Sequence, residues 1–165
     1  MKKLQLLFIA ITVLSCKKAE TPAPAEAATT VAVTVTDGST GVAATGATVL
    51  LYDSADAVAS NTSKYTATTD QTGTVKITVA YISQYFVIAQ KGSEKNYYSG
   101  LIPIGIFKTQ TDIQNSAIQT PPAVIGGVKF QDTNGDGRIS AADDVSAPNI
   151  KVTANTNNAI STTMY

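Results

Sequence analysis

Apolar and polar residues alternate along most of this chain. Val31, Val33 and Val35 are interleaved with Ala32, Thr34 and Thr36 up to Asp37-Gly38. A period of two with β-branched residues predicts a strand with one buried face, and Asp-Gly predicts the turn that ends it. Ala47 to Tyr52 reads Ala-Thr-Val-Leu-Leu-Tyr, apolar on both faces, as a central strand requires. Thr66 to Thr69 leads into the turn sequence Asp70-Gln71-Thr72-Gly73, and Val75, Ile77 and Val79 then alternate with Thr74, Lys76 and Thr78. Tyr85 to Ala89 is a further strand, closed by Lys91-Gly92. Ile102, Ile104 and Ile106 share a face, but Pro103 and Gly105 move that stretch to a sheet edge or a bulge. Val128 with Phe130, and Ile150 with Val152, supply the last clear pair, and Ile160 to Tyr165 adds a short strand. No segment carries a helical period of useful length. Short strands divided by Gly, Asn and Asp turns predict an all-β, antiparallel sandwich around one core.

The first residues follow a different pattern. Met1-Lys2-Lys3 precedes an almost wholly apolar run from Leu4 to Leu14. That run is about half the ~20 residues needed to span a bilayer, and it has the layout of a secretory signal. Residues 19–28 then alternate Pro, Ala and Glu behind Lys17-Lys18. Such a sequence favours extended backbone and builds no core; twelve residues reach at most about 40 Å. The expected organisation is a signal peptide at 1–15, a tether at 16–28 and a sandwich at 29–165. Residues 125–165 either belong to that sandwich or form a truncated second module.

Composition removes whole classes of chemistry. The 165 residues include no His, no Trp and one Cys, with 12 Lys+Arg against 12 Asp+Glu. Without His there is no Ser-His-Asp triad, no His-paired Cys nucleophile and no His-ligated zinc. One Cys cannot form an intrachain disulfide or a multi-Cys metal cluster. Balanced charge gives no electrostatic reason to expect nucleic acid. Asp37, Asp53, Asp56, Asp70, Glu94 and Asp112 are scattered, mostly at turns, and define no carboxylate pair for glycoside hydrolysis. No G-x-S-x-G elbow occurs. The expectation is a protein that is not an enzyme.

Three resemblances sharpen this outline. Val13-Leu14-Ser15-Cys16 resembles the lipobox of bacterial lipoproteins. It implies cleavage before Cys16 and lipidation of that residue. Several acyl chains on one residue hold a protein stably where one is marginal. Lys17 stands where, in lipoproteins, Asp commonly retains the protein at the inner membrane, so the resemblance implies the outer membrane. Val35-Thr36-Asp37, Gly46-Ala-Thr-Val-Leu50, Thr68-Thr-Asp70-Gln-Thr-Gly73 and Tyr85-Phe-Val87 together resemble the carboxypeptidase-regulatory-like or transthyretin-like sandwich. They are also similar to the Cna B-type repeats of surface proteins. The likeness covers about residues 30–90 and implies an Ig-like sandwich used as a spacer or binding module. The branch of that family that hydrolyses 5-hydroxyisourate uses histidines, which this chain lacks.

The third resemblance carries chemistry. Asp132-Thr-Asn134-Gly-Asp136-Gly137-Arg138-Ile139-Ser140-Ala-Ala-Asp143 matches the twelve-residue EF-hand calcium loop. Ca²⁺ takes six to eight oxygens at about 2.3–2.6 Å. Asp132, Asn134 and Asp136 fall at ligand positions 1, 3 and 5, the carbonyl of Arg138 at 7, Ser140 at 9 and Asp143 at 12. Gly137 permits the sharp turn, and Ile139 anchors the loop to the core. Asp143 is one methylene shorter than the usual Glu, as in dockerin loops, but dockerins use two repeats and only one is found here. The loop lies between two strand-like segments, Gly126 to Phe130 and Pro148 to Val152, so calcium would tie an interstrand loop and drive no helical switch. Four carboxylates, with Asp144, face one guanidinium in this segment.

The function these features predict is a lipid-anchored cell-envelope protein whose calcium-stabilised sandwich spaces or docks a protein partner. The alternative is a carbohydrate-binding accessory lipoprotein of a glycan-uptake system, with Tyr97 and Tyr98 as an aromatic platform.

Overall fold

The structure is a computed structural model and describes residues 27–98, 100–115, 125–139, 141–143 and 145–165. The signal, Cys16 and the tether up to residue 26 lie outside the described residues. Among those described, no helix is long and apolar enough to cross a membrane.

Two sheets pack face to face. One has three strands in the order β10-β1-β4: β1 (Thr30–Asp37), β4 (Thr74–Thr78) and β10 (Asn157–Met164). The other runs β3-β2-β5-β6: β2 (Thr48–Tyr52), β3 (Tyr65–Thr68), β5 (Gln84–Lys91) and β6 (Glu94–Lys95), with β9 (Asn149–Lys151) also paired to β5. Val31, Val33 and Val35 have no exposed surface, and they share one core with Val49, Leu51 and Val87 of the facing sheet. Burial of each such side chain contributes about 1.5–3 kcal/mol. The fold is the expected all-β sandwich.

Among the described residues, all sheet pairs are antiparallel except one. β1 and β10 run parallel, Thr30 opposite Asn157 and Asp37 opposite Met164. β10 is also longer than the short strand expected from Ile160, because Asn157, Asn158 and Ala159 already pair with β1.

The turns form as the sequence predicts. One Asp70 carboxylate oxygen accepts from the Thr72 N–H at 2.8 Å and the Thr74 N–H at 3.1 Å, and the Gly73 N–H donates to the Asp70 carbonyl at 3.0 Å. Gly73 has φ +71, and a Cβ there would stand 2.6 Å from the Val35 carbonyl oxygen, so only glycine fits. Between β6 and β9, the edge of β5 is closed by a side chain. Buried Asn96 accepts from the Ala89 N–H at 2.9 Å and donates to the Val87 carbonyl at 3.0 Å and to Thr162 Oγ1 of β10 at 2.9 Å.

Two short helices interrupt the strands. α1 (Ala55–Ala59) starts at Ser54, whose Oγ accepts from the Ala57 N–H. α2 (Gln110–Gln114) starts at Thr109 in a reciprocal capping box with Asp112. A separate two-stranded ribbon, β7 (Pro103–Ile106) with β8 (Val128–Phe130), has a register shift between Pro103 and Gly105. That is the bulge the proline and glycine predict.

Candidate metal centre

The acidic loop joins this ribbon to the sandwich. It leaves the ribbon after Phe130 at the end of β8, passes through a 3-10 turn at Ala141–Asp143 and re-enters the larger sheet at Asn149, the start of β9. Strands therefore flank it on both sides, as the sequence implies, and its last ligand position sits on a 3-10 turn in place of the helix of an EF-hand.

Carboxylate oxygens of Asp132, Asp136 and Asp143 lie within 4.8 Å of one another. Two oxygens bound to one calcium at about 2.4 Å can be separated by no more than about 5 Å, so the spread fits a single ion. The donors are all hard oxygens, suited to calcium or magnesium and unsuited to soft thiolate-seeking metals.

The loop backbone creates this convergence. Asp132 Oδ1 accepts from the N–H groups of Gly135 (2.6 Å) and Asp136 (3.2 Å), and Asp132 Oδ2 accepts from that of Gly137 (2.7 Å). Gly137 has φ +75, which lets the chain turn tightly enough to aim its amide at Asp132. Asp136 Oδ1 accepts from the Arg138 N–H at 2.8 Å. Asn134 reaches the same place: its Oδ1 accepts from the Asp136 N–H at 2.9 Å and its Nδ2 donates to Asp136 Oδ2 at 3.0 Å. Arg138 is exposed and Ile139 half-buried.

Asp143 closes the loop from its far end. It is 1% exposed, and its Oδ1 accepts from the Thr133 N–H at 3.0 Å and the Asn134 N–H at 3.4 Å. The Thr133 hydroxyl lies 3.3 Å from the same oxygen. Thr133 thus draws the last ligand position towards the first, a role that position 2 of the motif gave no reason to expect. Of the sequence-predicted ligands, the carboxylates of Asp132, Asp136 and Asp143 converge, Asn134 is hydrogen-bonded to Asp136, and Arg138 touches the cluster through its N–H, which donates to Asp136. Ser140 lies outside the described residues, as do Asp144 and the lipidation residue Cys16.

Tyr97 and Tyr98 face different neighbours. The Tyr98 ring packs edge-on to Phe130 with centroids 5.3 Å apart. Its hydroxyl donates to the Tyr165 carbonyl, and burial raises its pKa. Tyr97 instead lines a groove on the outer face of the larger sheet, beside Phe86 and Val58. The apolar composition of β5 on both faces was the signal that this outer face is also covered.

The chain matches no protein-family model, and no curated protein matches it.

Proposed function

We propose that this protein is a non-enzymatic, lipid-anchored protein of the cell envelope, at the outer membrane, whose calcium-stabilised sandwich serves as a spacer or as a docking module for an envelope protein. The convergence of Asp132, Asp136 and Asp143 within 4.8 Å carries the calcium half of this reading. When bound, Ca²⁺ supplies a cross-link among oxygens that otherwise repel. Asp132 and Asp136 hold the outward turn of the loop, and Asp143, fixed by Thr133, ties that turn to the entry of β9. The ribbon is thereby held against the sandwich, which suits a rigid spacer.

The leader and Cys16 support the address. A fatty-acid label should be incorporated by the wild-type chain and lost in Cys16→Ser; an unlabelled wild type would overturn the anchor. For the metal, the melting temperature should rise with about 1 mM Ca²⁺, a concentration at the upper end of the Kd range of extracellular calcium modules. It should fall again with chelator. Asp132→Ala combined with Asp136→Ala should erase the response, and a wild-type melt indifferent to calcium would refute the site.

A further inference from the structure

The outer face of the larger sheet carries a second cluster of apolar residues: Tyr52, Ile88 and Ala147 are buried there, with Leu50, Phe86 and Val58 packed against them. A cavity of about 510 Å³ opens on this face, lined by Phe86, Tyr97, Val58, Ala55, Ser146 and Ala147. A second, of about 270 Å³, has Leu50, Tyr52 and Ile88 on its floor and Asn61, Gln90 and Lys95 on its wall. Val58 and Tyr97 line both, so the two form one groove with Tyr97 between its halves. The size falls within the usual range for small-molecule sites.

The chemistry of the lining narrows the occupant. Phe86 and Tyr97 offer ring surface, and beside the Tyr52 and Tyr97 hydroxyls the polar groups are two carboxamides, one hydroxymethyl and one ammonium. Among the described residues, the lining of these two cavities contains no carboxylate. Tyr52 donates its hydroxyl proton to Asn61 Oδ1 at 2.8 Å, which leaves the Nδ2 end of that amide as the donor side.

An extended peptide gains little here. The strands beneath the groove are already paired: β2 lies between β3 and β5. The far edge of β5 is occupied by β6, β9, Asn96 and the Pro148 carbonyl. Among the described residues, neither β2 nor β5 leaves a free edge beneath the groove for strand addition. A ligand must be held by its faces and by side-chain hydrogen bonds.

A sugar ring meets those demands, with C–H faces for the aromatic rings and equatorial hydroxyls for amides and ammonium. We propose that this groove is a saccharide-binding site, with Tyr97 and Phe86 as its platform and Asn61, Gln90 and Lys95 as its hydrogen-bonding wall. The site does not rest on the calcium reading and shares no residue with the acidic loop.

The test is electrophoresis of the purified lipidated protein, in neutral detergent, through native gels cast with a soluble glucan, mannan, xylan or galactan. Gels are run with calcium and with chelator, and the melt of each sample is recorded in parallel. At least one polysaccharide should retard the protein, and Tyr97→Ala should weaken that retardation about tenfold or more, the usual loss when a central aromatic anchor is truncated. Where Tyr97→Ala disturbs folding, Gln90→Ala with Lys95→Ala decides, since both side chains sit on the rim. Absence of retardation on all four polymers would overturn the proposal. So would equal retardation of the folded rim variant, or retardation competed by an apolar peptide and by no sugar. A calcium-independent melt with retained sugar binding would separate the failure of the metal site from that of the groove.

Discussion

Asp136→Asn removes one charge from the three-carboxylate cluster while keeping an oxygen that can accept the Arg138 N–H. The bond it loses, from Asn134 Nδ2 to Asp136 Oδ2, is exposed, and water takes its place at little net cost. Asp136 repels two neighbours whose oxygens lie within 4.8 Å. At that distance, even with the dielectric constant of bulk water, each pair costs about 0.9 kcal/mol. Without calcium the variant should therefore be more stable than the wild type by about 1–2 kcal/mol at low ionic strength. For a domain of this size that is a rise in melting temperature of about 4 °C or more. Calcium should change the comparison. A Kd near 0.1 mM and 1 mM free ion give the wild type about 1.4 kcal/mol, whereas a tenfold weaker site in the variant gives about 0.4 kcal/mol. Differential scanning calorimetry at low salt, with chelator and then with calcium, reads both quantities. If the two proteins melt together in chelator, or gain equally from calcium, the carboxylates neither crowd one another nor share an ion.

Asn96→Ala should cost at least about 2 kcal/mol in a urea titration, because the Ala89 N–H and the Val87 carbonyl are buried and each lost partner is worth about 1–3 kcal/mol; a loss below about 1 kcal/mol would show that water replaces the side chain. The acid limb of stability should depend on Asp70. Its pKa is lowered from 3.8 by the Thr72 hydroxyl first, then by the backbone N–H groups of Thr74 and Thr72. A folded-state pKa below the unfolded one stabilises the protein above the ordinary value and is lost as pH falls through the lowered one. Asp70→Asn should therefore flatten the decline of the denaturation midpoint below pH 3.8, and an unchanged acid limb would refute that assignment.

The strands were legible because their chemistry is local. Val31, Val33 and Val35 alternate with polar neighbours, and all three are fully buried. The turns at Asp37 and Asp70 carry side chains that bond their own following amides, which is why Asp37-Gly38 and Asp70-x-x-Gly73 mark them. The parallel register of β1 with β10 was not legible, since nothing in either strand names a partner more than a hundred residues away. The first two residues of β10, Asn157-Asn158, also read as a loop. Both helices were missed because five residues leave no period to detect, although Ser54 and the Thr109–Asp112 pair were visible caps. The acidic loop was legible in its spacing. Its closure by Thr133 was not, because that depends on where the 3-10 turn places Asp143. The outer groove was hidden too: the Tyr97-Tyr98 pair suggested one platform, but only Tyr97 faces the groove, and Phe86 beside it comes from β5.

The side-by-side run of the first and last strands has a mechanical consequence. Thr30 lies at one end of the sandwich and Met164 at the other, because β1 and β10 point the same way over eight register pairs. A pull between an anchor preceding Thr30 and a load beyond Met164 slides these strands along each other. The hydrogen bonds between them then bear that load in shear, all together, whereas an antiparallel terminal pair would be peeled open one bond at a time. Under the proposed N-terminal anchor, this is the orientation in which the sheet best resists being drawn apart.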